Sequence, residues 1–251
     1  MRFFSFIFLS LFLLTAGCAM SEANRRQASY HYQMGLSFLG EGNATRALVE
    51  FTEAERLTPN DPQLLNYLGV TYFYKKRYDL AEQKLLRAIK LRPNYSEARN
   101  YLGVNYLEMG RWDDAIAQFK VVSEDLFYQN SEVAVINMGL AYYGKGDYTA
   151  AQSLLTGVVA EHPDIPQAHV SLARVYMAMD KHNMAVSELQ RALELNKDYA
   201  DAYFYLGQVY LKGGNRQAAS LAFRETIRLT PDSEKGQQSR QYIDQLGGAV
   251  R

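Results

Sequence analysis

A single cysteine, Cys18, serves the whole 251-residue chain, so no disulfide can form within it and no cysteine-based metal cluster can be built. The four histidines, His31, His162, His169 and His182, never share the short helical spacing that zinc ligands use. Charge of one sign is missing too: 27 Lys and Arg balance 27 Asp and Glu, for a formal net charge of zero. With no Lys/Arg-rich run either, the electrostatic footprint of a nucleic-acid binder is absent. Long hydrophobic runs are confined to the N-terminus.

Assembled chemistry is equally scarce. Gly144-Lys145-Gly146-Asp147 has the glycines of a phosphate loop but not its spacing or its Lys-Ser/Thr ending, and it reads as a helix C-cap. Asp113-Asp114 is the nearest approach to a carboxylate pair. It opens a helix, where acidic residues complement the helix dipole. No serine stands in a nucleophile-elbow setting. The expectation is a protein that is not an enzyme and needs no cofactor or metal.

What is present begins with Arg2 and the apolar stretch from Phe3 to Leu14, interrupted only by Ser5 and Ser10. It is too short for the ~20 residues of a transmembrane helix and suits a secretory signal. It ends in Leu14-Thr15-Ala16-Gly17-Cys18-Ala19, which resembles the bacterial lipobox, with Thr15 where Leu is commonest. The resemblance implies a signal peptide over 1–17, acylation of Cys18, and a lipidated tether over 18–27. Ala19, in place of an Asp that would retain the protein in the inner membrane, implies the periplasmic face of the outer membrane. Two or three acyl chains anchor a protein stably where one does not.

From there to residue 233 a period of about 34 residues governs the chain. A small residue recurs at Gly35, Gly69, Gly103, Gly139, Ala173 and Gly207, with an aromatic three residues later from Phe38 to Tyr210. Alanine recurs at Ala47, Ala81, Ala115, Ala151, Ala185 and Ala219, followed by bulky Phe51, Leu85, Phe119, Leu155, Leu189 and Phe223. Pro59, Pro93, Pro163 and Pro231 close four of the units. These are the signatures of the tetratricopeptide repeat, a helix–turn–helix unit that buries its apolar face only against its neighbours. The expected fold is all-α, a right-handed superhelical solenoid of six repeats at 28–61, 62–95, 96–131, 132–165, 166–199 and 200–233. The third repeat is two residues longer than the others, at Ser123 to Ser131. A polar helix with Tyr242, Ile243 and Leu246 as its apolar contacts caps the end, within 234–251.

Helical phase divides each first helix into two faces. Positions four, seven, eight and eleven of the repeat meet the packing partner, and positions two, five, six, nine and twelve point away at about 100° per residue. The second face is Tyr32, Leu36 and Leu39 in the first unit, and Asn66, Tyr67, Val70 and Phe73 in the second. It continues as Asn100, Tyr101, Val104 and Leu107, then Ile136, Asn137, Leu140 and Tyr143. So apolar a surface is expected to be a partner-binding groove, with the asparagines pairing an extended peptide backbone. Leu36, Val70 and Val104 stand where a clamp for a terminal carboxylate would need polarity.

The lipobox, the six repeats and the long third join together resemble the type IV pilus biogenesis lipoproteins, the pilotins. Asp125-Leu126-Phe127-Tyr128 and Asn137-Met138-Gly139 carry the specific part of that resemblance, without the proline usual in the first segment. The resemblance implies an outer-membrane-anchored protein whose partner is the pilus secretin, which it helps to localise and multimerise. The alternative is a lipoprotein scaffold for cell-wall hydrolases or outer-membrane protein assembly.

Overall fold

The computed structural model describes residues 22–248. The expected signal peptide and lipobox, with Cys18, lie outside the described residues. Those described form thirteen helices and no strand. The first helices of the repeats are α1 (Glu22–Gly40), α3 (Pro62–Tyr74), α5 (Ser96–Glu108), α7 (Ser131–Lys145), α9 (Pro166–Ala178) and α11 (Ala200–Lys212). Their second helices are α2 (Ala44–Leu57), α4 (Tyr78–Leu91), α6 (Trp112–Ser123), α8 (Tyr148–Glu161), α10 (His182–Leu195) and α12 (Arg216–Leu229), and α13 (Glu234–Gly248) follows. The helices group into two compact units, one ending at Ala98 and the other beginning at Arg99.

Five of the six hairpins close for one steric reason. A β-carbon added to Gly35, Gly69, Gly103 or Gly207 would sit 2.5 Å from the side chain of Phe51, Leu85, Phe119 or Phe223 respectively, and one on Gly139 would sit 2.8 Å from Leu155. The bulky residue of the second helix in these five therefore rests on the bare backbone of the first, and in the fifth hairpin buried Ala173 takes the glycine's place. The recurring alanines, from Ala47 to Ala219, are all fully buried. Helices α2, α4, α8 and α12 stop two residues before a proline, because proline pushes the residue before it out of helical geometry.

Between the helices of every repeat the fifteenth residue is left-handed: Gly42, Lys76, Gly110, Gly146, Asp180 and Gly214, with φ between 56° and 86°. This tight reversal explains the phosphate-loop lookalike. Gly146 ends α7, Asp147 Oδ1 caps α8 by accepting the Ala150 N–H at 3.0 Å, and Gly144 makes room for the Trp112 ring.

The long third repeat keeps its register. In the first unit Lys75 Nζ donates to Thr45 Oγ1 at 2.9 Å, and in the second Lys145 Nζ reaches Asp113 Oδ1 at 2.6 Å. Both pairs join position fourteen to position eighteen of the repeat before, across 30 and 32 residues. The two additional residues lie wholly in the loop between α6 and α7.

One expectation changes. Residues 22–27, read as tether, are the exposed first turns of α1; Glu, Ala, Arg and Gln are strong helix formers. The last helix α13 covers the end of the second unit, where Tyr242 stacks on Phe223 with ring centroids 4.7 Å apart and Leu246 is buried.

Candidate functional site: the outward face of the first helices

In the first unit the face is built round tyrosines. Tyr67 of α3 stacks on Phe51 at 6.0 Å and meets Tyr32 of α1 edge-on at 5.8 Å. Burial raises the pKa of the Tyr32 and Tyr67 hydroxyls, and for Tyr67 the neighbouring Glu97 carboxylate adds to it. Tyr95, also buried and beside Glu97, is pushed up to about 12. All three therefore remain protonated donors at neutral pH. Asn66 Nδ2 donates to Glu97 Oε1 at 3.2 Å, while its buried Oδ1 has no partner among the described residues.

The second unit has a different character. Arg174 of α9 lies over Tyr143 at 4.9 Å and over Tyr205 at 5.4 Å, one ring from the repeat before and one from the repeat after. Such cation–π contacts hold a guanidinium in place without neutralising it. Arg174 makes no ion pair with any described residue, so it offers a fixed cation to a ligand. Lys235 also sits over Tyr205, at 5.1 Å, but is engaged by Asp201 at 2.5 Å.

The structure separates the expected groove residues into two groups. Tyr32, Leu36, Leu39, Tyr67, Phe73, Asn100, Tyr101, Val104, Leu107, Leu140 and Tyr143 are half-buried and reachable. Asn66, Val70, Ile136 and Asn137 are not: exposures of 0%, 3%, 0% and 8% place them inside the protein. Position five of the repeat turns toward the adjoining hairpin, so Asn66 spends its amide on Glu97 and cannot grip a peptide. Nor is Tyr67 a freely exposed groove residue, since it packs against the first unit's core. Asn100 occupies the same repeat position as Asn66 and stays half-buried.

Sequence reasoning missed Arg174, which holds position nine, the same place as Leu36, Val70, Val104 and Leu140. Carrying the register into the fifth repeat would have found it. It also missed the acidic partners of two histidines. His31 Nδ1 lies 2.7 Å from Glu50 Oε2, and His169 Nδ1 lies 2.6 Å from Glu188 Oε2, the same two repeat positions nineteen residues apart. Arg99 and Gln118 meet there in the third repeat, at 3.1 Å. These pairs brace first helix to second. Among the described residues no group of three His, Cys, Asp or Glu side chains converges as a metal site, and no helix is long and apolar enough to cross a membrane.

Family models described as tetratricopeptide repeat match residues 32–96, 72–124, 136–181 and 201–233, and a further TPR repeat model matches 173–214. The chain belongs to the tetratricopeptide repeat family. Among curated proteins it is 25% identical over 206 residues to BBSome complex member BBS4 from Bos taurus, covering 82% of this chain and 39% of that one. It spans well under half the length of the curated relatives it matches. Among solved structures, PilW, a widely conserved type IV pilus biogenesis factor, superposes with a TM-score of 0.72 at 21% identity, over 84% of this chain and 97% of PilW. PilF of Pseudomonas aeruginosa superposes with a TM-score of 0.66 at 17% identity, over 88% and 99%. These likenesses establish a shared fold, and membership of the tetratricopeptide family makes the chain a protein-binding scaffold.

Proposed function

We propose that this tetratricopeptide protein is a lipid-anchored assembly factor of the outer membrane, acting from the periplasmic face on the secretin of a type IV pilus. The observation that carries the reading is the superposition on PilW and PilF over 97% and 99% of their own length, for a chain whose N-terminus resembles a lipobox. The lipobox ending at Cys18 supports the anchor. Tyrosines and aliphatic residues on the first helices of each unit, with Arg174 fixed in the second, support recognition of a protein segment. The proposed contacts are the reachable ones, Tyr32, Leu36 and Phe73 in the first unit and Asn100, Tyr101, Val104 and Leu140 in the second.

The test is a cell fractionation of strains carrying the wild-type chain, no chain, or Cys18→Ala. Lipidated wild-type protein should enter the outer membrane together with heat-stable secretin multimers. Loss of the chain should leave secretin monomers and no surface pili. Normal multimers without the chain would sink the secretin role. Specific recovery of cell-wall hydrolases or outer-membrane assembly factors with the wild-type chain would then select the scaffold alternative.

A further inference from the structure

The loop between α6 and α7 carries apolar surface that neither the repeat packing nor the tyrosine face uses. Leu126 and Phe127 are 95% and 94% exposed. An Asx turn presents them: Asp125 Oδ1 accepts the Phe127 N–H at 3.0 Å, and the Asp125 carbonyl accepts the Tyr128 N–H at 3.1 Å. At the foot of the loop opens a cleft of about 360 Å³, bounded by Ser123 and Ser131 and floored by Val135, Leu154, Gly157 and Val158.

The cleft exists because the fourth repeat lacks the bridge that the first, third and fifth repeats carry. Where the first and fifth place a His–Glu bridge and the third an Arg–Gln bridge, the fourth places Val135 and Leu154. Gly157 adds space, since a β-carbon there would meet nothing within 4 Å. The rim is acidic. Glu132 and Glu161 border the cleft with His162, and Glu124 is exposed in the loop. None of the three glutamates pairs with a described residue, whereas Glu55 and Glu188 are both engaged.

We infer that this cleft and the Leu126–Phe127 pair form a second docking surface, for a protein segment whose apolar side chains are flanked by lysine or arginine. The floor takes up the apolar side chains, the exposed pair covers them, and the unpaired carboxylates meet the flanking cations. Charge argues against a second copy as occupant. Its loop would bring Glu124 of one chain against Glu132 and Glu161 of the other, and like charges brought together in a docking site oppose association.

The experiment uses the full chain in detergent and two fluorescent synthetic peptides of equal length, each with a Leu-Phe centre, one flanked by lysines and one by glutamates. Fluorescence anisotropy at low salt should show the lysine peptide binding about tenfold more tightly, from two or three exposed charge pairs. That advantage should vanish near 1 M salt, where screening acts within about 3 Å. Glu132→Gln with Glu161→Gln should remove the preference for lysine, Leu126→Ser with Phe127→Ser should weaken both peptides, and Gly157→Leu should block the cleft. All these positions lie at the surface, and unchanged helicity by circular dichroism confirms the fold of each variant. Equal binding of the two peptides, or no binding of the lysine peptide, overturns the inference. So does self-association of the chain that Gly157→Leu abolishes, which would assign the surface to a second copy.

Discussion

The Phe51 ring lies so close to Gly35 that a β-carbon on the glycine would sit 2.5 Å from it. Phe51 is fully buried and cannot swing aside without vacating the hairpin's centre. Gly35→Ala is therefore expected to cost about 1–3 kcal/mol, as overpacking does, although alanine is the better helix former. Because repeats interact with their neighbours only, the loss should concentrate in α1 to α4. Hydrogen exchange that rose evenly through all six repeats would contradict this.

A second expectation concerns pH. Burial works against a charged His169, but its hydrogen bonds to Glu188 and to the Pro163 carbonyl outweigh burial and hold its pKa above the ordinary histidine value. A raised folded-state pKa stabilises the fold fully below the unfolded value of about 6.5 and loses that contribution as pH rises through the folded value. Urea midpoints of the wild type and His169→Gln should thus differ most below pH ~6.5 and converge as the solution becomes alkaline. A difference that grew with pH would refute the assignment.

The left-handed turns supply a third. Lys76 has φ 56° with no glycine to relieve it, and a non-glycine residue there costs about 1–2 kcal/mol. After allowance for the greater freedom of glycine in the unfolded chain, Lys76→Gly should stabilise the protein by about 0.5–1 kcal/mol. The reverse change, Gly146→Ala, should destabilise by about 1 kcal/mol, since open space surrounds its missing side chain and only the backbone resists. Thermal unfolding of the two variants would show opposite displacements.

The fourth separates binding from folding. Tyr67 packs on Phe51 and Tyr32, so Tyr67→Ala should cost about 2 kcal/mol of stability, less than a fully buried aromatic, whatever it does to a partner. Phe73→Ala and Arg174→Gln are cleaner probes of the outward face. If that face binds the secretin, each should weaken binding by about tenfold with helicity and melting little changed. Unaltered binding in both would move the contact elsewhere.

Periodicity made the repeat positions and the close helix contacts legible, because a side chain that must be glycine or alanine betrays its place in every unit. It could not grade exposure along the outward face. Asn66 and Asn100 share a repeat position, yet one is sealed and the other half-open, since coverage depends on the side chains of the adjoining hairpin. The bridges from His31 to Glu50 and from His169 to Glu188 were similarly hidden. Helical phase puts residues on a face, while a bridge depends on which second-helix side chain reaches back to it. Nor does composition distinguish Leu126 and Phe127 from core residues. Only the Asx turn at Asp125, and the absence of a helix around it, leave them in water.

The unchanged register across the third join gives the chain one locus where its length is free. Helix stacking fixes the other connections, but lengthening the segment between Ser123 and Ser131 adds only loop-closure entropy, about 0.6 kcal/mol for each doubling. An epitope or fluorescent protein inserted there should leave the stacked hairpins on either side intact, so the chain could be followed in the cell without touching its termini.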